Sequence, residues 1–392
     1  MTTIAESKNH VLLLAYTPCN LIMGFAAHHT VAPNAILDVL YCGATDKNEL
    51  FIRQLADTCP SIASITFLSW ERLEKMASSS YPLTARWALP LTKGWLERRA
   101  GERLKSVCPT PWYDIVFYPH DAVGQALGLA RAAWPMASFV WIGDSFGIFV
   151  EKKAHFDLLG LRVVKHPFLR EIKPSQATAC LPVDQSGYAL KDIPLTTISR
   201  QTILEILHLI HDSLPELTGY LEDLRHRHAG RTEIFLMTEN HAELGYITLK
   251  QECAMYADLL VQYASKGSVV YVKPHPGEIF ERHEPLITAI AGHCDIVTIS
   301  PHFRSIPVEL MFELILNCEL CISMSNPRLS LKFLYNKDVL NPAEPQFVER
   351  WFDPASWRLY NDSYLLYENP REALRTWDGQ GVLWSGDLPD RV

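Results

Sequence analysis

The sequence predicts an α/β protein of two domains built on mainly parallel sheets, and three observations carry that reading. Short apolar runs alternate with longer amphipathic stretches, the pattern of strands joined by crossover helices. The chain has 392 residues, more than one ordinary hydrophobic core accommodates. Between about residues 175 and 200 the periodicity weakens among prolines, serines and threonines and then resumes, as expected of a crossing between domains.

In the first block, strands are predicted at His10–Ala15, Ile36–Tyr41, Ser64–Phe67, Ile115–Tyr118 and Ser138–Ile142. Helices are predicted at Leu21–His29, Asn48–Thr58, Tyr81–Ser106 and Val123–Ala133. Ile203–Arg225 then reads as one long amphipathic helix. The second block carries strands at Ile234–Met237, Val269–Val272, Ile296–Ile299 and Leu320–Ser323, with helices at Thr248–Lys266, Leu286–Ala291, Pro307–Asn317 and Leu329–Tyr335. The aromatic tail, with Trp351, Trp357, Tyr360, Tyr364 and Trp377 beside Leu366, is expected to pack back onto the body. The expected boundaries are 1–190 for the first domain, 191–345 for the second and 346–392 for a C-terminal segment. Two open α/β sheets facing each other would place a ligand cleft at the carboxyl ends of their strands.

The net charge is −8 with no basic run, which argues against a nucleic-acid partner. An acidic ligand would have to be held by a locally positive pocket. Met1–Asn9 lacks a basic leader region, and Val11–Tyr16 is too short for a signal core and reads as a strand. Nothing approaches the ~20 apolar residues that span a bilayer, so a cytoplasmic protein is expected. A peripheral membrane contact could form at Tyr81–Arg98, where Trp87, Leu91 and Trp95 stand among Arg86, Lys93 and Arg98; a packed helix explains the same residues. The nine cysteines have no framework spacing, and the one close pair, Cys318 and Cys321, lacks a second pair to complete a zinc site. Both are expected to be buried as small apolar side chains.

Strand ends are therefore the places to look for chemistry, and four segments stand out. Val269–Val272 runs into Lys273-Pro274-His275-Pro276-Gly277-Glu278, where two prolines hold the backbone around His275. A histidine so placed, with Lys273 nearby, could hydrogen-bond a phosphate; it could also be a satisfied loop histidine. Asp144 follows the strand Ser138–Ile142 between Gly143 and Gly147, a position that suits a general base or a helix cap. Ser323-Met324-Ser325-Asn326-Pro327 offers hydroxyls and backbone N–H groups for an anion, or plain N-capping. Glu309, in Pro307-Val308-Glu309-Leu310, could favour a helix dipole or accept from an amino group on a nucleotide base.

These four segments occur in the order, and at about the spacing, found in the bacterial sialyltransferases and polysialyltransferases of lipooligosaccharide and capsule synthesis, and the chain resembles that family. Ala15-Tyr16-Thr17-Pro18-Cys19-Asn20-Leu21-Ile22 is similar to the family's first strand and Thr-Pro-x-Gln-Leu turn, with Asn20 in place of Gln. Gly143-Asp144-Ser145 stands where the family carries an acidic-acidic-Gly motif, so that Asp144 matches the second acid. Lys273-Pro274-His275-Pro276 matches the His-Pro motif, and Pro307-x-Glu309-Leu310 the segment whose Glu reads cytosine. Ser323 and Ser325 match a serine pair, here split by Met324.

The resemblance implies a GT-B fold, with two Rossmann-like domains facing a central cleft, the first on the acceptor side and the second holding the nucleotide. It implies an inverting transfer from a CMP-sugar donor to a glycan acceptor, with Asp144 and His275 catalytic. Thr17, Asn20, Lys273, Pro276, Glu309, Ser323 and Ser325 would bind the donor. A departing CMP needs no metal, so no cofactor is expected. A CMP-Kdo transferase of the same fold, a GT-B-like UDP-sugar epimerase and a binding-only relative are the rival readings.

Overall fold

A computed structural model of the chain describes residues 9–43, 51–55, 62–78, 98–119, 124–149, 174–185, 187, 189–290, 292–357, 360, 370–375, 377 and 382–385. The chain divides into two compact units, Met1–Leu209 with Gly379–Val392, and Ile210–Asp378.

The first unit is built on a parallel sheet of seven strands. In chain order these are β1 (His10–Ala15), β2 (Ile36–Tyr41), β3 (Ile62–Phe67), β4 (Ile115–Tyr118), β5 (Ser138–Trp141), β7 (Gln176–Ala179) and β9 (Leu195–Thr197), with β6 (Ile148–Phe149) and β8 (Val183–Asp184) outside the sheet. Their spatial order is β3-β2-β1-β4-β5-β7-β9. The run 3-2-1-4-5 is the doubly wound Rossmann order, with its switch point between β1 and β4. The apolar run of β1 is fully covered, Val11 through Ala15 being buried, as a central parallel strand between helix layers requires.

The stretch read as a crossing, about 175–200, contains β7 and β9, which extend this sheet in parallel register. Their sequences, QATA and LTT, are short and polar and gave no apolar run to detect.

The second unit carries β10 (Glu233–Met237), β11 (Val269–Lys273), β12 (Asp295–Thr298) and β13 (Leu320–Ile322), all parallel and in the order β12-β11-β10-β13. That repeats the 3-2-1-4 pattern, now with the switch between β10 and β13. The helix Leu249–Tyr263 follows β10, opened by a capping box in which Thr248 and Gln251 satisfy each other's backbone N–H groups. Its buried face, with Met255, Tyr256, Leu259 and Leu260, packs in one core with Val270, Phe352 and Tyr360, and Trp351 and Trp357 pack against it. The tail thus returns as expected, while Tyr364 and Leu366 lie outside the described residues. Beyond it, β14 (Trp384–Ser385) joins β8 and β6 in a small parallel sheet of the first unit.

Two helical expectations need correction. Ile203–Arg225 is two helices, Arg200–Asp212 and Pro215–Arg227. Pro215 has no N–H to continue the ladder and disfavours a helical conformation at Leu214, whose φ/ψ are −112°/66°. Pro307–Asn317 opens as a 3₁₀ turn, Val308–Met311, before the α-helix Phe312–Asn317. Cys318 and Cys321 are buried free thiols. The aromatic and basic residues of Tyr81–Arg98 lie outside the described residues except for Arg98. Among the described residues no helix is long and apolar enough to cross a membrane.

A buried carboxylate ties the first sheet together. Asp38 in β2 accepts from the Ser64 hydroxyl of β3 at 2.5 Å and from Thr110 and Tyr113, each at 2.9 Å, ahead of β4. Burial first, then the adjoining Asp38, pushes the Tyr113 phenol well above its ordinary pKa. Asp38→Ala orphans three hydroxyls at once and is expected to cost about 3 kcal/mol of unfolding free energy. Urea titration measures it, with Asp38→Asn costing less because one acceptor oxygen remains.

Candidate active site

The strand ends of the second unit carry a dense polar cluster. Beyond β11, the backbone turns sharply: the Glu278 N–H donates to the His275 carbonyl at 3.0 Å, and the His275 N–H donates to the Glu278 carboxylate at 2.9 Å. The Gly277 N–H donates to His275 Nδ1 at 3.0 Å. An imidazole that accepts at Nδ1 carries its proton on Nε2, and among the described residues nothing hydrogen-bonds that nitrogen. Burial, followed by the charge of Lys273, lowers the His275 pKa to about 4. At neutral pH the ring is therefore an uncharged donor. A Cβ at Gly277 would lie 2.7 Å from Asn240 Nδ2 and 3.1 Å from His275 Nδ1, so the Asn240 side chain would have to shift to admit one. Pro276 is exposed at the tip.

Lys273 is buried at the end of β11, and its ammonium donates to the carbonyls of Pro274, at 3.3 Å, and Arg304. It thereby joins the His275 turn to the segment after β12. Glu309 is buried in the 3₁₀ turn, where the Ser330 hydroxyl donates to its carboxylate and the Tyr335 hydroxyl donates to its carbonyl at 2.8 Å. Burial raises its pKa against the pull of Ser330, its own N–H and Lys273. After β13, the Ser325 N–H donates to Ser323 Oγ at 3.2 Å, and the two hydroxyls stand 3.4 Å apart. The helix Pro327–Tyr335 starts directly behind them. Lys273, His275, Glu309, Ser323 and Ser325 thus gather at the carboxyl ends of one parallel sheet.

Asp144 lies in the first unit, at the carboxyl end of β5. Its N–H and C=O pair with Ile148 at 2.8 and 2.7 Å, closing a tight loop. Gly143, Ser145, Phe146 and Gly147 all have positive φ, at 69°, 33°, 55° and 109°. For Ser145 and the buried Phe146 such a backbone costs about 1–3 kcal/mol each, and strain of this kind gathers at functional sites. The loop presents the half-exposed Asp144 side chain, which makes no hydrogen bond or ion pair with any described residue. The same geometry favours glycine at position 143. A Cβ at Gly143 would lie 3.0 Å from Gly147 Cα in a left-handed backbone.

Thr17 and Asn20 cap the helix Pro18–Val31 in a reciprocal box at the end of β1. Asn20 is buried, and its Oδ1 accepts from the N–H groups of Tyr16 and Thr17 at 3.2 Å each.

Sequence reasoning missed the residues that fix these loops. Arg282 is buried and paired with three glutamates: bidentate to Glu243 at 2.6 and 3.0 Å, to Glu252 at 2.6 Å, and to Glu278 at 3.4 Å. Burial pushes Glu252 up to about 7. Burial acts the same way on Glu243, but Arg282 and the N–H groups of Phe280 and Ile279 prevail and hold it at about 2. Glu239, directly after β10, is also buried and was overlooked; a systematic reading of every strand end would have found Thr238-Glu239-Asn240-His241. Among the described residues no group of three or more His, Cys, Asp or Glu side chains is placed to hold a metal ion.

No family model and no curated protein matches the sequence. Solved structures match in outline. The UDP-GlcNAc 2-epimerase of Neisseria meningitidis bound to UDP-GlcNAc is 10% identical over 96% of each chain, with a TM-score of 0.49. The N-terminal domain of the Candida albicans trehalose-6-phosphate phosphatase is 12% identical over 94% of this chain and 92% of that one, with a TM-score of 0.46. A glycosyl transferase of family 9 from Veillonella parvula is 9% identical over 83% and 78%, with a TM-score of 0.38. These likenesses decide neither donor nor reaction. The fold class rests on the chain's own strand orders: α/β, with two Rossmann-like units in one chain, as in GT-B proteins.

Two outcomes follow from this geometry. Arg282→Met leaves three buried carboxylates without their counter-charge and is expected to cost about 3–5 kcal/mol near neutral pH. Glu252 and Glu278, which burial already raises against the pull of Arg282, then lie further above their unfolded values, so stability is retained at low pH and lost as pH rises. Denaturant titrations at about pH 5 and pH 8 should show the larger deficit at pH 8. Gly143→Glu, which puts an acid beside Asp144, should destabilise by about 1–3 kcal/mol through its backbone, and a thermal melt reads that directly.

Proposed function

We propose that the chain is an inverting glycosyltransferase that moves sialic acid or a related nonulosonate from a CMP-sugar to a hydroxyl of a surface glycan. The observation that carries this reading is His275, whose Nε2–H is the free donor of a rigid turn at a parallel-strand end. Ser323, Ser325 and Glu309 share that sheet end, as a phosphate and a cytosine amino group would require. In this reading His275 donates a neutral hydrogen bond to the donor phosphate, and the Ser325 and Ser323 hydroxyls receive its remaining oxygens. Lys273 holds the turn from beneath. Asp144 takes the proton of the acceptor hydroxyl as that oxygen bonds to the anomeric carbon. The bond from that carbon to the phosphate oxygen breaks, and CMP departs with the electron pair. A single phosphate monoester leaves readily enough that the reading calls for no metal.

Nucleotide release from CMP-Neu5Ac, CMP-Kdo and UDP-sugars, with thermal shifts for CMP and UDP, tests the proposal. Turnover of a CMP-donor is expected, with Asp144→Asn lowering kcat by about 10²–10⁴-fold and leaving CMP binding unchanged. His275→Ala should lower kcat by a similar order, because its hydrogen bond strengthens as charge develops on the leaving phosphate. UDP-sugar turnover with stabilisation by UDP and none by CMP would overturn the donor assignment in favour of an epimerase.

A further inference from the structure

Beside the His275 turn, the second unit holds a cavity of about 210 Å³. It lies among the helix Leu249–Tyr263, the chain from Pro274 into the helix His283–Ile290, and the segment after β12. For scale, an apolar cavity of about 150 Å³ takes up benzene. Much of the wall is apolar: Tyr256, Val272 and Leu286 line it and are buried, while Phe280 lines it and is 44% exposed. Neither His275 nor the serine pair is among the lining residues.

The charged groups around this cavity are engaged, with one exception among the described residues. Arg282 meets its three glutamates, and Glu278 also accepts from the His275 N–H and the Thr238 hydroxyl. Glu281 accepts from the N–H groups of His283 and Glu284, at 2.8 and 3.4 Å. Arg304 is the exception. Its Nη1 donates to the Glu278 carbonyl at 2.9 Å, and it forms no ion pair with a described residue. Its Nε is buried with no hydrogen-bond partner, and its Nη2 makes no hydrogen bond to a described residue. Nε and Nη2 form the side-on edge of the guanidinium, the fork that holds a carboxylate through two parallel hydrogen bonds.

We propose that this cavity is a binding site for a small aromatic carboxylate, held through the Nε and Nη2 edge of Arg304. The ring of the ligand packs against Tyr256, Leu286 and Phe280, and its carboxylate supplies the acceptor that the guanidinium lacks. A buried donor left without a partner is costly, more so when it is charged, and the ligand removes that cost. A single negative charge suits the site better than a phosphate dianion, because Glu278 and Glu281 line the same cavity and repel a second charge. The site stands apart from the proposed donor corner and does not depend on which nucleotide, if any, binds there.

Calorimetric titration of the full chain at neutral pH with benzoate, benzamide, acetate and phenyl phosphate tests the site. Benzoate is expected to bind with a Kd of about 1 mM or tighter, within the ligand-efficiency bounds for so small a molecule. Benzamide keeps the ring without the charge, and acetate the charge without the ring. Each should bind about tenfold more weakly, or worse. Arg304→Gln should abolish the preference for benzoate over benzamide, a change that mere loosening of the cavity would not produce. Phe280→Ala alters an exposed residue and should weaken benzoate and benzamide alike, so the test holds even if Arg304→Gln fails to fold. The proposal is overturned if benzoate does not bind at millimolar concentration, or if benzamide binds as tightly. Benzoate affinity left intact by Arg304→Gln or by Phe280→Ala overturns it too. Phenyl phosphate binding more tightly than benzoate overturns the choice of a monoanion.

Discussion

The loops of the second unit depend on one buried guanidinium. Arg282 meets Glu243 from the loop after β10, Glu252 from the following helix and Glu278 from the turn after β11. Each glutamate does a second task. Glu243 receives the N–H groups of Ile279 and Phe280, Glu252 that of His241, and Glu278 that of His275 together with the Thr238 hydroxyl. Four backbone N–H groups in two loops without ladder partners are thereby satisfied from one centre, a condition for burying irregular chain at all. A lone ion pair would be poor evidence of stability. A shared arginine whose removal strands three acids is a constraint on shape.

The same economy appears in the other cations of the cluster. Lys273 and Arg328 both direct N–H groups at main-chain carbonyls of the loops beside them, Pro274 and Arg304 in one case and Met324 and Ser325 in the other. The positive charges of this sheet end therefore organise backbone, and the partly exposed side chains beside them are the uncharged His275 imidazole and Ser325. In the first unit the division differs: the Asp144 loop is shaped by left-handed backbone and by the fit of Gly147 against Ala179, where a Cβ would come within 2.4 Å. One acid is presented by charge-free strain, the other groups by a charged scaffold.

Much of this was legible in the sequence, and the reason is the parallel sheet. Strands covered on both faces are written as unbroken apolar runs, so β1, β2 and β4 have the bounds their sequences announce. The ends of β5, β11 and β13, read the same way, located Asp144, His275 and the serine pair. The strands that were invisible, such as β7 and β9, lie towards the sheet's edge and are built from alanine and threonine. Arg282 and Glu252 were illegible for a different reason. They are charged residues in the interior, and nothing in a linear pattern tells a buried ion cluster from a solvated helix face. The break at Leu214–Pro215 was written plainly but outvoted by a periodicity that ran through it.

The neutrality of His275 has a kinetic consequence. A protein of net charge −8 offers an approaching anion no long-range attraction, and an uncharged imidazole adds none at close range. Encounter is then governed by diffusion and orientation, and retention by the fit of hydrogen-bond donors to oxygens. Retention should vary little with ionic strength, since Debye screening leaves short neutral hydrogen bonds almost untouched, whereas encounter should quicken as salt screens the repulsion between the protein and the anion. If the proposed phosphate site is right, such a corner would discriminate among anions by shape and not by charge alone.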